Sequence, residues 1–253
     1  MESIISNTMV GRIALLKNKK HRDAERLFVA EGEKCVGDTL SYFDAKYIVA
    51  THGWAKRNRL IDSDILIANE SQMKRMSSLS NASEVLAVYH KPEWKLNIQL
   101  IENDITLLLD GVQDPGNLGT IMRLADWFGV KQIVASRTSV DIFNAKAIQA
   151  TMGSISRVRI FYEDLAEFVA QYSKVPVAGL LLEGNDIYNE ELPRNAFIVM
   201  GNEGKGLTEE MRNILDYRLL IPSFPIGEPT GESLNVAMAT AITLSEFRRR
   251  MIQ

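Results

Sequence analysis

Three segments in the second half of the sequence combine glycines with side chains that could bind or orient a ligand. The first, residues 110–119, leads into a helical pattern that carries Arg123 about one turn later. Asn117 can both donate and accept hydrogen bonds, and a guanidinium group can hold a phosphate through two parallel hydrogen bonds. The same residues also suit a structural turn capped by Asp114 or Asn117, with Arg123 in a surface ion pair. The pattern therefore indicates either an anion site or a plain turn.

The second segment, residues 201–206, places Glu203 and Lys205 among three glycines. It lacks the glycine spacing of a dinucleotide site, and Lys205 is followed by Gly206 rather than by the serine or threonine of a P-loop. A nucleoside triphosphate site and a nucleotide-dependent oxidoreductase are therefore disfavoured. The carboxylate of Glu203 favours a ligand with positive charge, such as a sulfonium.

The third segment, residues 221–235, is rich in proline and glycine and precedes a long helical pattern. Ser233 or Glu232 is expected to cap that helix, and serine is the better N-cap by type. Such a cap is expected whether or not the segment also takes part in a reaction.

The elements around these segments predict an α/β fold. Continuous apolar runs are typical of parallel strands that are covered on both faces. Their alternation with helical patterns predicts a mostly parallel sheet with helices on both sides, and ligands bind beyond the carboxyl ends of such strands. The predicted strands are 105–109, 132–135, 175–182, 196–200 and 217–221, and the predicted helices are 118–128, 145–152, 207–215 and 234–250.

A break in the pattern divides the 253 residues into two domains. Lys91, Pro92 and Glu93 interrupt the apolar pattern, and proline together with charge marks a turn or linker. Short strands and helices precede this break, which predicts a small α/β domain over residues 1–97 and a larger one over residues 98–253.

The charge distribution differs between the two predicted domains. The net charge of the chain is −3, but residues 1–97 hold 15 basic and 12 acidic side chains while the remainder holds 14 and 20. A group of basic residues near the N-terminus could grip phosphates, since neutralising them releases counterions, or could form a solvated face. These residues are Arg12, Lys17, Lys19, Lys20, Arg22 and Arg26.

The sequence also argues against a membrane protein, a secreted protein and a metalloprotein. No apolar run approaches the roughly 20 residues that cross a bilayer, and the N-terminus lacks the features of a secretory signal. Cys35 is the single cysteine, and it and the three scattered histidines give no metal-ligand spacing. We therefore expect a cytoplasmic protein without a metal or a membrane partner.

The three segments together resemble the signature motifs of the SpoU (TrmH-type) RNA methyltransferase family of the SPOUT class. Residues 110–123 resemble the first motif, residues 200–207 the second, and Ile221-Pro222 followed by residues 232–237 the third. Residues 19–34 are similar to the substrate-binding domain of the family, and residues 144–154 match a further segment. The stretch between Pro222 and Glu232 is about four residues longer than the family pattern.

The resemblance implies a ribose 2′-O-methyltransferase that uses S-adenosylmethionine and acts on RNA, and it favours ribosomal RNA over transfer RNA. It implies an N-terminal RNA-binding domain, a C-terminal methyltransferase domain with a trefoil knot, and a homodimer formed through that domain. The alternatives are a transfer RNA 2′-O-methyltransferase and a non-catalytic RNA-binding or ribosome-assembly factor with the same fold. The implied cofactor contacts are Gly201, Ile221 and Leu234, the implied catalytic side chains are Asn117, Arg123, Glu203, Ser233 and Asn235, and the expected RNA contacts are Lys19, Lys20, Arg22 and Lys34.

Overall fold

The computed structural model describes residues 3–60, 65–225, 231 and 233–252, which form two compact units. The first unit comprises Met1–Glu93 together with Asp141–Ser156, and the second comprises Trp94–Val140 together with Arg157–Gln253. The sequence predicted a single boundary after residue 97. The structure differs in that a segment from the second half of the chain folds with the first unit.

The first unit contains a mixed sheet of five strands within the described ranges, in the order β1-β4-β3-β5-β2. The pairs β1–β4 and β4–β3 are parallel, whereas β5 is antiparallel to both of its neighbours. The strands are β1 (Ser3–Ile4), β2 (Leu27–Glu31), β3 (Ala45–Thr51), β4 (Ile65–Ala68) and β5 (Val85–His90). The helices are α1 (Asn7–Leu15), α2 (Lys19–Glu25), α3 (Glu33–Thr39), α4 (His52–Arg57), α5 (Glu70–Met76) and α8 (Ala145–Thr151), with a 3₁₀ turn at Ser154–Ser156.

Aromatic side chains fill one part of the core of the first unit. The ring of Phe28 in β2 lies 5.2 Å from that of Phe43, 5.3 Å from that of Tyr89 and 4.8 Å from that of Phe143. Such ring pairs add to the stabilisation that area burial alone provides. Because Phe143 belongs to Asp141–Ser156, this segment contributes directly to the core of the unit.

The second unit contains six strands in the order β11-β9-β10-β6-β7-β8 within the part of the chain that the structure describes. All of their pairings are parallel, as the apolar strand pattern predicted. The strands are β6 (Ile105–Asp110), β7 (Gln132–Ser136), β8 (Arg159–Glu163), β9 (Val177–Asp186), β10 (Ala196–Gly201) and β11 (Tyr217–Leu220). The helices are α6 (Ile98–Asn103), α7 (Pro115–Trp127), α9 (Leu165–Gln171), α10 (Glu209–Asn213) and α11 (Val236–Ile252).

Pairing of β6 with β10 places two of the glycine-rich segments side by side. In the register of this pair, Gly201 lies opposite Asp110, the last residue of its strand. The segment after β6 and the segment after β10 therefore leave the sheet from adjacent points at its carboxyl edge. The third segment leads into α11, which packs against α7.

The described residues show neither a membrane-spanning helix nor a cluster of metal-binding side chains. None of their helices is long and apolar enough to cross a membrane. They also contain no group of three or more histidine, cysteine, aspartate or glutamate side chains arranged to hold a metal ion.

Candidate active site

Two aspartates fix the first segment at the carboxyl end of β6. Asp110 is buried, and its Oδ2 accepts a hydrogen bond from the Thr208 backbone N–H at 2.6 Å. Asp114 caps α7, because its side chain accepts from the Asn117 N–H at 2.8 Å. Pro115 follows at the first helical position, where its missing N–H costs nothing. Of the two caps predicted from the sequence, Asp114 is the one that forms.

Asn202, which was not among the residues predicted from the sequence, organises the second segment. Its Nδ2 donates to the Gly111 carbonyl at 2.8 Å, and its Oδ1 accepts from the N–H groups of Gly204 and Lys205 at 3.0 Å each. Its backbone also pairs with Gly206 in both directions, at 3.0 and 2.9 Å. An asparagine within a glycine-rich run is the signal that could have identified it, since asparagine side chains often bond to nearby backbone.

Gly201 is required by this tight turn. A Cβ atom at residue 201 would lie 2.5 Å from the Gly206 carbonyl carbon and 2.7 Å from the Leu207 nitrogen. The absence of a side chain therefore lets the loop fold back over the end of β10.

A chain of side-chain hydrogen bonds joins all three segments. The Asn235 Nδ2 donates to the Asn117 Oδ1 at 3.0 Å, and the Asn117 Nδ2 donates to the Glu203 Oε1 at 2.8 Å. Each of these residues comes from a different glycine-rich segment. The structure thus brings together three of the five side chains that the family resemblance assigned to catalysis.

Asn235 also caps α11, which corrects the cap expected from the sequence. Its Oδ1 accepts from the N–H groups of Ala237 and Met238 at 2.9 and 3.3 Å. Helix α11 begins at Val236, so Ser233 lies too early to cap it, and Glu232 lies outside the described residues. Ser233 is exposed and makes no hydrogen bond to any other part of the described chain.

Arg123 lies on the exposed surface of α7 and has no hydrogen bond or ion pair with any described residue. It follows Asn117 by six positions, or about 9 Å along the helix axis. Glu203 bonds to the Asn117 amide, and no hydrogen bond or ion pair joins it to Arg123 within the described ranges. In the part of the chain that the structure describes, the guanidinium group is therefore open to an anionic ligand.

Hydroxyl groups at and after the end of β7, which were not predicted from the sequence, support the first segment from its other side. Ser136 Oγ accepts from the Gly111 N–H at 2.9 Å and lies 3.0 Å from the hydroxyl oxygens of both Thr138 and Ser139. Ser139 in turn donates to the Leu109 carbonyl at 3.2 Å. The signal for this group was three hydroxyl residues at the carboxyl end of a predicted strand.

The three residues expected to contact a cofactor occupy the ends of the same elements. Gly201 ends β10, Ile221 directly follows β11, and Leu234 is 52% exposed beside Asn235. Leu234 directly precedes Asn235, and Gly201 lies two residues before Glu203. Because Asn235 and Glu203 both bond to Asn117, these hydrogen bonds hold Leu234 and Gly201 at the same site. Ile221 shares the carboxyl edge of the sheet, but β9 separates β11 from β10.

The lysines expected to contact RNA lie on the surface of the first unit. Lys19 pairs with Asp23 at 2.6 Å and Lys34 pairs with Asp38 at 2.9 Å, in both cases four residues along a helix. Exposed pairs of this kind contribute little to stability and open easily. Lys20 is exposed and has no ion pair within the described ranges.

Arg22 does not fit its expected role as an RNA contact. It is only 3% exposed, and its Nη2 lies 2.8 Å from the Asp141 Oδ2. Its Nη1 donates to the carbonyls of Leu16 and Lys17 at 3.0 and 2.8 Å. A guanidinium group whose donors are already bonded in the interior cannot reach a phosphate, so Arg22 is a structural residue.

Two family models match parts of the chain. The model of the SpoU rRNA methylase family matches residues 104–245, and that of the MRM3-like substrate binding domain matches residues 7–87. The chain is 31% identical to the 23S rRNA (guanosine(2553)-2′-O)-methyltransferase RlmP of Bacillus subtilis, over 92% of this chain and 93% of that protein.

Solved structures are similar over nearly the whole chain. A TrmH-family protein from Porphyromonas gingivalis superposes with a TM-score of 0.86 at 35% identity, covering 98% of this chain and 100% of the other. An AdoMet-bound rRNA methyltransferase from Sinorhizobium meliloti superposes with a TM-score of 0.83 at 30% identity, covering 99% and 98%.

Proposed function

We infer the function of this protein from one premise, which is that the chain belongs to the SpoU rRNA methylase family. It transfers a methyl group from S-adenosylmethionine to a ribose 2′-hydroxyl in RNA. Relatives named as 23S rRNA methyltransferases favour ribosomal RNA over transfer RNA as the substrate.

The hydrogen-bonded chain from Asn235 through Asn117 to Glu203 carries this proposal. A binding-only protein does not need three separate segments held in one arrangement around a helix that also carries an arginine without a partner among the described residues. A transfer reaction does need such an arrangement, because catalysis by positioning depends on fixed distances between the reacting groups.

The residues present fit S-adenosylmethionine. Leu234 exposes an apolar side chain at the start of α11, which suits the adenine ring, while Glu203 supplies negative charge near a sulfonium. Gly201, Ile221 and Leu234 would hold the cofactor, and when bound it supplies an electrophilic methyl group. The tight turn at Gly201 keeps the second segment folded beside this place.

Arg123 would act on the RNA. A guanidinium group stays protonated in proteins, so it is a poor choice of base. It can instead hold a substrate phosphate and stabilise the negative charge that develops on the ribose oxygen. The phosphate or a water molecule then accepts the hydroxyl proton.

The remaining side chains orient these groups. Asn117, Ser233 and Asn235 position the ribose or the loops around it, and Glu203 fixes the orientation of the Asn117 amide at 2.8 Å. Because hydrogen bonds already orient the side-chain amides of Asn117 and Asn235, these groups need little rearrangement when the substrate binds.

The first unit would grip the RNA before methyl transfer. Lys19, Lys20 and Lys34 are exposed, and their ammonium groups can exchange surface ion pairs for phosphates. Single-stranded or looped RNA is the expected target, because its bases are accessible.

The homodimer and the trefoil knot that the family resemblance implies belong to this proposal. Two large apolar side chains support a dimer through the second unit: Trp127 of α7 is 84% exposed and Met238 of α11 is 53% exposed. These two helices pack against each other, and both side chains would be covered in such a dimer. Support for the knot is the match of residues 104–245 to the SpoU rRNA methylase family.

Mass spectrometry of RNA tests the proposed function. Total RNA from cells with and without the protein is digested, and the 2′-O-methylated nucleosides are mapped. The expected result is one or more ribose methyl groups in 23S rRNA that are lost with the protein and restored in vitro by the purified enzyme and S-adenosylmethionine. Calorimetric titration with S-adenosylmethionine addresses the non-catalytic alternative, since an RNA-binding relic should not bind it.

A further inference from the structure

A half-open cavity of about 180 Å³ lies within the first unit. We propose that it binds one unstacked nucleobase of the RNA, an inference that rests on RNA being the substrate. All of its lining residues belong to the part of the first unit before residue 94, so the cavity is a feature of the RNA-binding unit itself.

The floor of the cavity is apolar and belongs to the core of the unit. Ile13, Leu16, Leu27 and Val88 are buried there, and Met9 and Tyr47 are partly buried against the same core. Because the floor residues are held by packing on their other sides, the cavity cannot close by local collapse. It offers a preformed apolar surface with an aromatic ring on one wall.

The rim of the cavity is polar and charged. Arg12 forms an ion pair with Glu25, with its Nη2 at 3.1 and 2.8 Å from the two carboxylate oxygens. The Lys46 Nζ lies 5.6 Å from the centre of the Tyr47 ring. The rim therefore presents hydrogen-bond donors and acceptors together, as well as cations that can meet a phosphate.

Size and chemistry favour a single base over other ligands. Pockets for whole drug-sized molecules hold about 300–1,000 Å³, so a cavity of about 180 Å³ takes a smaller group. The Glu25 carboxylate disfavours a free anion. A flat ring with donors and acceptors on its edge suits an apolar floor, the Tyr47 ring and the Arg12 guanidinium, since unstacked bases bind to aromatic rings and guanidinium planes.

Filling the cavity tests the inference. The full-length protein is titrated with fluorescent single-stranded oligouridylate, oligoadenylate and an abasic ribose-phosphate oligomer of the same length. Wild type should bind one or both base-containing oligomers at least about fivefold more tightly than the abasic oligomer, as expected from stacking of one base. Met9→Trp should fill the cavity and Tyr47→Leu should remove its ring, so each should abolish most of this preference.

The matched control is Leu15→Trp, which adds the same ring to α1 at a residue that is 51% exposed and does not line the cavity. It should keep the preference. Thermal unfolding identifies any variant that fails to fold. Met9 lies in α1 and Tyr47 in β3, so one folded cavity variant is enough for the test if the other does not fold. The dependence of affinity on salt should be the same in all folded variants, since no cation is removed.

The inference would be overturned by equal binding of all oligomers to wild type, or by a base preference that survives in the folded cavity variants. A protein that binds none of the oligomers would overturn it as well. Methyl transfer is judged separately, by the map of ribose methyl groups. Loss of base preference with normal methyl transfer would therefore support the cavity, and a base preference without methyl transfer would contradict only the proposed reaction.

Discussion

The Asn117 Nδ2 donates a hydrogen bond to the Glu203 Oε1 at 2.8 Å, although the two residues lie 86 positions apart in the chain. The contact depends on the pairing of β6 with β10, which sets Gly201 opposite Asp110 and starts both segments at the same edge of the sheet. The strand register therefore decides which side chains meet in the candidate active site.

Replacing Arg123 with alanine should abolish methyl transfer and leave cofactor binding unchanged. The arginine has no partner among the described residues, so its removal should cost no fold stability, but it would take away the stabilisation of the ribose oxygen. We expect a loss in kcat of about 100-fold or more, measured by transfer of a labelled methyl group to rRNA from cells that lack the protein. Arg194→Ala, an exposed arginine of the same unit, is the control. Near-normal turnover of Arg123→Ala would reject the role.

Asn117→Asp should slow the reaction by placing two carboxylates side by side. The new side chain can still accept from Asn235, but it can no longer donate to Glu203. We expect a loss in kcat on the order of 100-fold, which shrinks as the pH falls because a close carboxylate pair takes up a shared proton. The double variant with Glu203→Gln restores a donor and should recover most of the rate. A double variant as slow as the single one would contradict the orienting role of this hydrogen bond.

Arg22→Ala should destabilise the first unit by about 3–5 kcal/mol, because it leaves the buried Asp141 carboxylate without its partner. Replacing both residues together, as Arg22→Met with Asp141→Leu, should cost much less. Urea denaturation measures the free energy of unfolding. Lys20→Ala, an exposed lysine on the same helix, should stay within about 0.5 kcal/mol of wild type. An equally small effect at Arg22 would show that the pair is not structural.

Stability should fall in acid through Glu246. Hydrogen bonds from Arg249 and Arg250 lower the pKa of this buried carboxyl from 4.5 to about 2. A lowered folded-state pKa stabilises the fold fully above the unfolded value, and this stabilisation is lost as the pH falls from about 4.5 towards 2. Since one pKa unit corresponds to about 1.4 kcal/mol, the contribution is on the order of 3 kcal/mol. Urea denaturation across this pH range should show wild type converging on Glu246→Gln, and a constant difference would contradict the assignment.

Alanine at Lys19, Lys20 and Lys34 together should weaken RNA binding and reduce its dependence on salt. Three phosphate contacts on single-stranded RNA correspond to a decrease of up to about 2 in the slope of log affinity against log salt. The control loses the same charge from exposed lysines of the second unit, as Lys95, Lys131 and Lys174 to alanine. If both triple variants bind with the same affinity and slope, the three lysines of the first unit do not contact RNA.

Much of the second unit follows from sequence pattern alone. Long apolar runs at β6 and β10 and the helical spacing of α7 are local properties, so their positions were predicted to within a few residues.

The strands β5 of the first unit and β8 of the second unit were not predicted, although β5 is almost wholly buried. A short apolar run shows little period of its own, and β5 becomes a strand because it pairs with β2 and β3 from distant parts of the chain.

The candidate site was likewise predicted only in part from the sequence. Glycines and amides marked the three segments, but only the fold shows that Asn202 ties the second segment to the first. Arg22 was assigned to RNA because basic residues surround it in sequence. Its partner Asp141 is 119 positions away in the chain, and no local sequence pattern indicates an ion pair between residues so far apart.

The segment Asp141–Ser156 has a consequence for how the protein is made. It supplies Asp141 for the Arg22 ion pair and Phe143 for the aromatic core of a unit that otherwise ends at Glu93. During translation, the N-terminal part of a nascent chain therefore leaves the ribosome long before the residues that complete its interior. A chaperone that shields the bare guanidinium and rings during this interval would raise the yield of native protein, and a fragment ending at residue 93 should be prone to aggregate.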